Sequence, residues 1–202
     1  MTVTPDEAAR REALLTLAEA TRRLSDVVAT TAVPVAVLAT AEADVRRAVA
    51  ALDAAHQEDR YSGLMDGVDY SEPSRTLPLS PIIGAYSPVR PEVEMWLEGG
   101  RVHGRAVLSR KHTGPPQSAH GGVGALIADQ LIALVGWTLD MRAVTKSMAV
   151  RYRKSLPLFE ELTLEAWGEA EDDRAAAHGT ISAHGVVCIE VEAELVNISR
   201  LR

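Results

Sequence analysis

His120, Gly121 and Gly122 stand just ahead of a long apolar run, and Asp129 lies inside that run. Glycine lets backbone N–H groups come close to a ligand, and Gly124 extends the motif. A helix N-terminus adds unpaired N–H donors and partial positive charge. Together these suit an oxyanion such as the one formed when an acyl carbonyl is attacked. Asp129 is the anomaly, because a carboxylate between Ala125-Leu126-Ile127-Ala128 and Leu131-Ile132-Ala133-Leu134-Val135 is costly to bury unpaired. A paired or functional carboxylate is expected there. Two blander readings stay open: a plain glycine turn before a helix, and an Asp that faces a crevice and caps a backbone group. No Gly-Lys-Ser/Thr follows the glycines, so the motif is not a nucleotide loop.

Spacing constrains any shared role. His120 and Asp129 are nine positions apart, which on a helix is roughly 180° of rotation and about 13 Å of rise. They cannot meet within one chain. A site that uses both must be completed by another subunit, which predicts a dimer with shared sites.

The elements that position these residues are legible from periodicity. Leu14, Leu17, Ala20, Leu24 and Val28 recur at helical spacing after a Thr4-Pro5-Asp6-Glu7 start signal. A second helix is predicted from about Thr40 to Ala55, after an interruption at Thr30 to Pro34. Residues 1–60 read as a helical extension. Residues 61–91, punctuated by glycine and proline, read as an irregular linker or lid. Residues 92–202 read as the main domain.

In that domain Val93, Met95 and Leu97 alternate with Glu94, Trp96 and Glu98. Gly99-Gly100 is a hairpin turn, and Val102, Gly104, Ala106 and Leu108 continue the alternation. The loop Thr113-Gly114-Pro115-Pro116 leads to an apolar helix over about Ala119 to Leu139, predicted to be buried on most sides. Four strands follow: Thr145 to Arg153, with Met148, Val150 and Tyr152 on one face; Leu162 to Ala166; 174–184; and Ile189 to Leu195. Asp172-Asp173 and His184-Gly185 are the expected turns. Strands joined by short turns around one apolar helix imply an α+β fold.

Composition sets the outer bounds. With 202 residues, 47% hydrophobic and 24% charged, the chain is globular, with material for a sizeable core. Aromatics make up 4%, so that core rests on Ala, Val, Leu and Ile. A net charge of −7 argues against nucleic acid as the main partner, although local basic clusters can still meet a phosphorylated ligand. Cys188, the one cysteine, sits among Val186, Val187 and Ile189 and reads as a buried small hydrophobe. His103, His112, His178 and His184 show no metal-like spacing, so no metal or cofactor is expected. No Gly-x-Ser-x-Gly elbow supports a Ser-His-Asp triad. The first residues lack a basic and apolar leader pattern, and Thr31 to Ala39 is far too short to span a bilayer. The expectation is a cytoplasmic protein without a membrane partner.

Gly114-Pro115-Pro116, His120-Gly121-Gly122, Asp129 and Thr145, with Tyr152 beyond, resemble the hotdog thioesterases of the phenylacetate-pathway (PaaI) and human THEM-like group. The resemblance covers about residues 92 to 198 and is strong around 112 to 158. It implies a hotdog fold, in which a curved antiparallel sheet wraps a long helix, and pairing into homodimers, often paired again into tetramers. It also implies hydrolysis of acyl-CoA thioesters. The family's catalytic carboxylate falls on Asp129 and its oxyanion donor on the Gly121 N–H, with Gly122 beside it. His120 matches the motif histidine, and Thr145 matches the hydroxyl that helps hold the water or the carboxylate. Arg153-Lys154 represents the family's basic stretch after the strand tyrosine, and reads equally well as a contact for CoA phosphates or as solvated surface charge. Gln117-Ser118-Ala119 departs from the usual approach to the motif, and Gly114 stands where some relatives place a polar side chain. A non-catalytic acyl-CoA binder is the rival reading. A hotdog hydratase would place its Asp and His closer together.

Overall fold

The computed structural model describes residues 5–55, 71–114 and 117–198. Thr4, the span 56–70 and the Pro115-Pro116 pair, all used in the sequence reading, lie outside the described residues. Helices α1 (Pro5–Val28), α2 (Val35–Asp53) and the single-turn α3 (Pro73–Thr76) precede the main domain. Strand β1 (Glu92–Glu98), strand β2 (Arg101–Val107) and helix α4 (Gly121–Thr138) come next. Then follow β3 (Ala143–Tyr152), β4 (Glu161–Glu171), β5 (Arg174–Ala183) and β6 (Val186–Asn197).

The six strands form one antiparallel sheet in the order β1-β2-β4-β5-β6-β3. Its short turns follow backbone chemistry. Gly99 and Gly100 have φ of 58° and 75°, and His184 and Gly185 have 51° and 74°. Two successive positive φ values are what a two-residue type I′ hairpin requires. Asp172 takes φ 56° at the β4–β5 turn.

Helix α4 is long and apolar enough, by length and composition, to cross a membrane, yet the sheet wraps it. It touches β2 through β6. Ile127, Leu131, Ile132 and Val135 are fully buried in one cluster with Leu162, Leu164, Ile181, Ile189 and Leu195. Each such side chain stabilises the fold by about 1.5–3 kcal/mol. Helix α4 is covered on most sides, but the expected burial of Asp129 needs correction. One curved sheet cannot enclose a cylinder, so Gly122 and Leu126 are exposed, and Asp129 beside them is half-buried rather than buried.

Strand β3 lies at the sheet edge and pairs only with β6. It carries a bulge between Thr145 and Ser147. Three positions separate Thr145 from Met148, so in a regular strand they would face opposite ways. The extra residue at the bulge restores a common face, and Ala143, Met148 and Val150 all pack on the core.

The N-terminal half is tied down unevenly. On α1, Ala18 is buried, and Arg22 Nη1 donates to the Ser87 carbonyl at 2.8 Å. Near the end of α1 the Asp26 carboxylate accepts from Ser109 Oγ at 2.6 Å and pairs with Lys111 Nζ at 3.5 Å. Helix α2 starts at Val35, earlier than its polar-apolar pattern suggested, with Pro34 at its N-cap, and no residue of it is buried. The irregular stretch before β1 reaches into the core: Ile82 and Ile83 are buried. Ser80 Oγ accepts from their N–H groups at 3.2 and 3.3 Å and donates to Gln130 Oε1 of α4 at 2.5 Å.

The joint between α1 and the 3-10 turn Arg110–His112 responds to acid. Burial opposes ionisation of Asp26, but the Ser109 hydrogen bond and the Lys111 charge hold its carboxyl below the usual value. Burial, with the Lys111 charge adding to it, holds His112 below the usual histidine value, against smaller opposing effects from Asp26 and the Ser109 N–H. A lowered carboxyl contributes stability that is lost as pH falls through its folded value. A base kept neutral in the fold destabilises it once the unfolded form protonates, at about pH 6.5 and below. Both act in one direction but in different windows: His112 is expected to lower the melting temperature between pH 7.5 and 5, and Asp26 only below about pH 4. His112→Asn, which keeps an acceptor for the Ser109 N–H, should flatten the upper part of that profile. An equally stable protein across the window would refute this account of the joint.

Candidate active site

Four contacts pin the N-terminus of α4. The His120 N–H donates to the His112 carbonyl at 2.8 Å, and the Ala119 N–H to the Leu156 carbonyl at 2.9 Å. His120 is the N-cap, and its Nδ1 accepts from the Gly122 N–H at 3.0 Å, which places the proton of a neutral ring on Nε2. Tyr152, at the end of β3, donates its hydroxyl to the Gly121 carbonyl at 3.1 Å.

This division of labour leaves one donor unspent. The Gly122 N–H goes to the His120 ring, and the N–H groups of Val123 and Gly124 turn to the His120 carbonyl. The Gly121 N–H has no acceptor among the described residues. It points from a fixed helix end with the positive end of the helix dipole behind it. Such a preorganised donor can stabilise an oxyanion without reorganising.

Two glycines make the approach possible. A Cβ on Gly124 would lie 2.5 Å from Ile189 Cδ1 and 2.9 Å from Leu156 Cδ1, so the first turn of α4 sits hard against β6 and the loop after β3. A Cβ on Gly114 would lie 2.5 Å from His120 Cα and 2.8 Å from its nitrogen. The Gly114 N–H also donates to the Ser118 carbonyl at 3.0 Å. Gly114 is therefore needed for the loop to fold back onto the helix start.

Asp129 lies on the same helix as Gly121. The two are eight positions apart, so they differ by roughly 80° and about 12 Å of rise. Distance along the axis, more than angle, separates them in one protomer. Strand β3 runs antiparallel to α4, since Tyr152 reaches Gly121 and Ala143 lies under Gly136. Counting rises from that end, Thr145 falls within about one helical turn of Asp129 along the axis. Thr145 and Asp129 are both half-buried, on the edge-strand side of the protomer. No hydrogen bond joins the Asp129 carboxylate to another described residue.

The basic pair after Tyr152 splits in role. Arg153 forms an ion pair with Glu190 at 2.7 Å, one of several such pairs between β3 and β6 that include Arg151–Glu192 and Lys146–Glu194. These are exposed and of small energetic worth, so Arg153 can exchange its partner. The Lys154 ammonium is exposed and has no partner among the described residues. Both backbone N–H groups donate to the Cys188 carbonyl, at 2.8 and 3.0 Å, and Cys188 is itself buried. His103 and His178 stack on Trp96 and Trp167. Among the described residues no cluster of metal-ligating side chains occurs.

The sequence reading missed what Tyr152 and His112 do for the motif. A tyrosine closing an edge strand was a visible signal. The use of the His112 carbonyl was not, because backbone acceptors leave no trace in residue type.

No family model matches this chain, and no curated protein does. Solved structures do. The thioesterase superfamily protein RHA08564 is 24% identical, with a TM-score of 0.79 over 91% of this chain and 90% of its own. A hypothetical thioesterase from Streptococcus pneumoniae, solved with coenzyme A, is 19% identical, with a TM-score of 0.50 over 52% of this chain and 85% of its own. The PaaI protein of the E. coli phenylacetic acid degradation operon is 14% identical, with a TM-score of 0.50 over 53% of this chain and 80% of its own. The chain has the hotdog fold of PaaI-like thioesterase superfamily proteins, with a helical extension at its N-terminal side.

Gly114→Ala is expected to lower stability by about 1–3 kcal/mol through overpacking, read as a lower melting temperature. His120→Ala removes a cap and should cost about 0.5–2 kcal/mol, whereas His120→Asn, a good N-cap residue, should recover most of it. Equal stability of the Ala and Asn variants would mean that the ring does not cap α4.

Proposed function

We propose that the protein hydrolyses acyl-CoA thioesters, with Gly121 and Asp129 as its working pair. The observation that carries this reading is the unspent Gly121 N–H at a pinned helix N-terminus, in a fold shared with thioesterase superfamily proteins. One neighbour was solved with coenzyme A. In this reading the Gly121 N–H and the helix dipole polarise the thioester carbonyl. Asp129 either takes a proton from water as the water oxygen attacks the carbonyl carbon, or attacks that carbon itself to give an anhydride that water then opens. Either way the carbon–sulfur bond breaks, CoA leaves as the thiol and the acyl group leaves as the acid. Thr145 positions the water or the carboxylate, and Lys154, with Arg153, meets CoA phosphates.

The two half-sites belong to different subunits. The edge of β3 not paired with β6 is free to add a strand from a second copy. By the rises of the two elements, an antiparallel pairing centred near Ala149 and Val150 would set the Gly121 of one protomer level with the partner's Asp129, at about the same height along the helices. The exposed Leu126 lies one turn from Asp129 on the uncovered face of α4, an apolar contact suited to an interface.

Thiol release measured across a panel of acyl-CoA substrates tests the assignment. Asp129→Asn is expected to lower kcat by at least about 100-fold while the mass measured in solution stays that of the wild type. Near-wild-type turnover in that variant, or tight acyl-CoA binding with no release by the wild type, would overturn it.

A further inference from the structure

A second concave site lies away from the Gly121 donor. Helix α1 walls it on one side, and Arg90 with the Ser109–His112 turn walls it on the other. Its volume is about 800 Å³, within the range of small-molecule sites. Among the described residues five cations line it: Arg22, Arg23, Arg90, Arg110 and Lys111. Three carboxylates oppose them, from Glu19, Asp26 and Glu92. Asp26 is already engaged by Ser109 and Lys111. The local balance is thus basic, in a chain of net charge −7.

Two buried groups show what is missing. His112 is 8% exposed, and its Nδ1 accepts from the Ser109 N–H at 2.9 Å. The neutral ring therefore carries its proton on Nε2, and that atom is buried with no partner among the described residues. Arg90 donates from Nη1 to the Val93 carbonyl at 3.2 Å, but its Nε is likewise buried and unpartnered. A buried donor left without an acceptor costs about 1–3 kcal/mol. Both orphans are donors on residues that line one cavity, so the complementary group is an acceptor. Burial and the neighbouring Arg22 charge also disfavour the charged form of Arg90, and an anion would offset both. The Phe159 ring, with the Arg110 guanidinium 5.4 Å from its centroid, gives the site an apolar wall.

We propose that this cavity binds the phosphate or pyrophosphate group of a phosphorylated small molecule. Guanidinium groups match phosphate oxygens in a bidentate geometry, and the apolar wall suits an organic moiety attached to the phosphate. Pyrophosphate binding involves no step of thioester hydrolysis, so the site stands or falls separately from the proposed function; only the choice of the CoA substrate as its source rests on that reading. Two sources share this chemistry: the phosphates of a CoA substrate, and a separate phosphorylated ligand.

Calorimetric titration of the full chain with inorganic pyrophosphate tests the site. Saturable binding is expected. It should weaken tenfold or more in the Arg23→Gln, Arg110→Gln double variant, whose side chains are exposed. His112→Asn, which keeps the Ser109 acceptor and removes the Nε2 donor, should weaken it as well. Arg46→Gln on α2 should leave it unchanged. Absence of saturable binding at millimolar pyrophosphate, wild-type affinity in both cavity variants, or an equal loss in Arg46→Gln would overturn the proposal. Competition then assigns the source. If CoA displaces pyrophosphate and the double variant raises KM without lowering kcat, the cavity takes the substrate's own phosphates. If CoA does not displace it, the cavity takes a separate phosphorylated ligand.

Discussion

The burial of α4 against a single curved sheet governs the rest of this molecule. A helix as apolar as 121–138 is poorly solvated on its own, and the six strands remove its Ile127, Leu131, Ile132 and Val135 face from water. That burial fixes the axis of the helix and so fixes where its N-terminus ends. The Ala119 and His120 N–H groups, the His120 ring and the Tyr152 hydroxyl then hold that end to within hydrogen-bond tolerance. A donor aimed in this way is useful because the cost of placing it is met during folding, not during reaction.

The same wrapping explains what is left open. One sheet cannot enclose a cylinder, so a strip of α4 containing Gly122 and Leu126, with Asp129 beside them, faces away from the core of its own protomer. Edge strand β3 borders that strip, with the bulge that turns Thr145 toward the helix side. A half-buried carboxylate on the strip bordered by an edge strand suits a site shared between copies. The charged outer face of β3, paired with glutamates of β6, keeps the opposite face of the sheet in water.

The helical extension adds a different surface. Helix α1 meets the Arg110–His112 turn, and the carbonyl of that turn's His112 holds the His120 N–H. The basic cavity and the start of α4 therefore share one short segment of backbone. Occupancy of the cavity by an anion would be expected to stiffen that segment, since it would supply acceptors to His112 and Arg90.

Much of this was readable in the chain. Period-two alternation located the strands, because one face of the sheet is buried and the other is wet. Gly99-Gly100 and His184-Gly185 marked the turns, because few other residues tolerate positive φ there. The run Ala125 to Val135 marked the central helix, and the His-Gly-Gly motif marked its start. What residue order could not convey depends on contacts between distant segments. Alternation alone sets Thr145 opposite Met148, and the bulge that reconciles them shows only in the pairing with β6. Asp129 looked buried because its neighbours are apolar, and its half-exposure follows from which side the sheet covers. His112 looked unremarkable until it packed near α1, some 86 positions earlier at Asp26, with its Nε2 buried and without an acceptor among the described residues. Periodicity records how a segment divides its faces between water and core, whereas tertiary packing decides which distant group, if any, stands opposite each face.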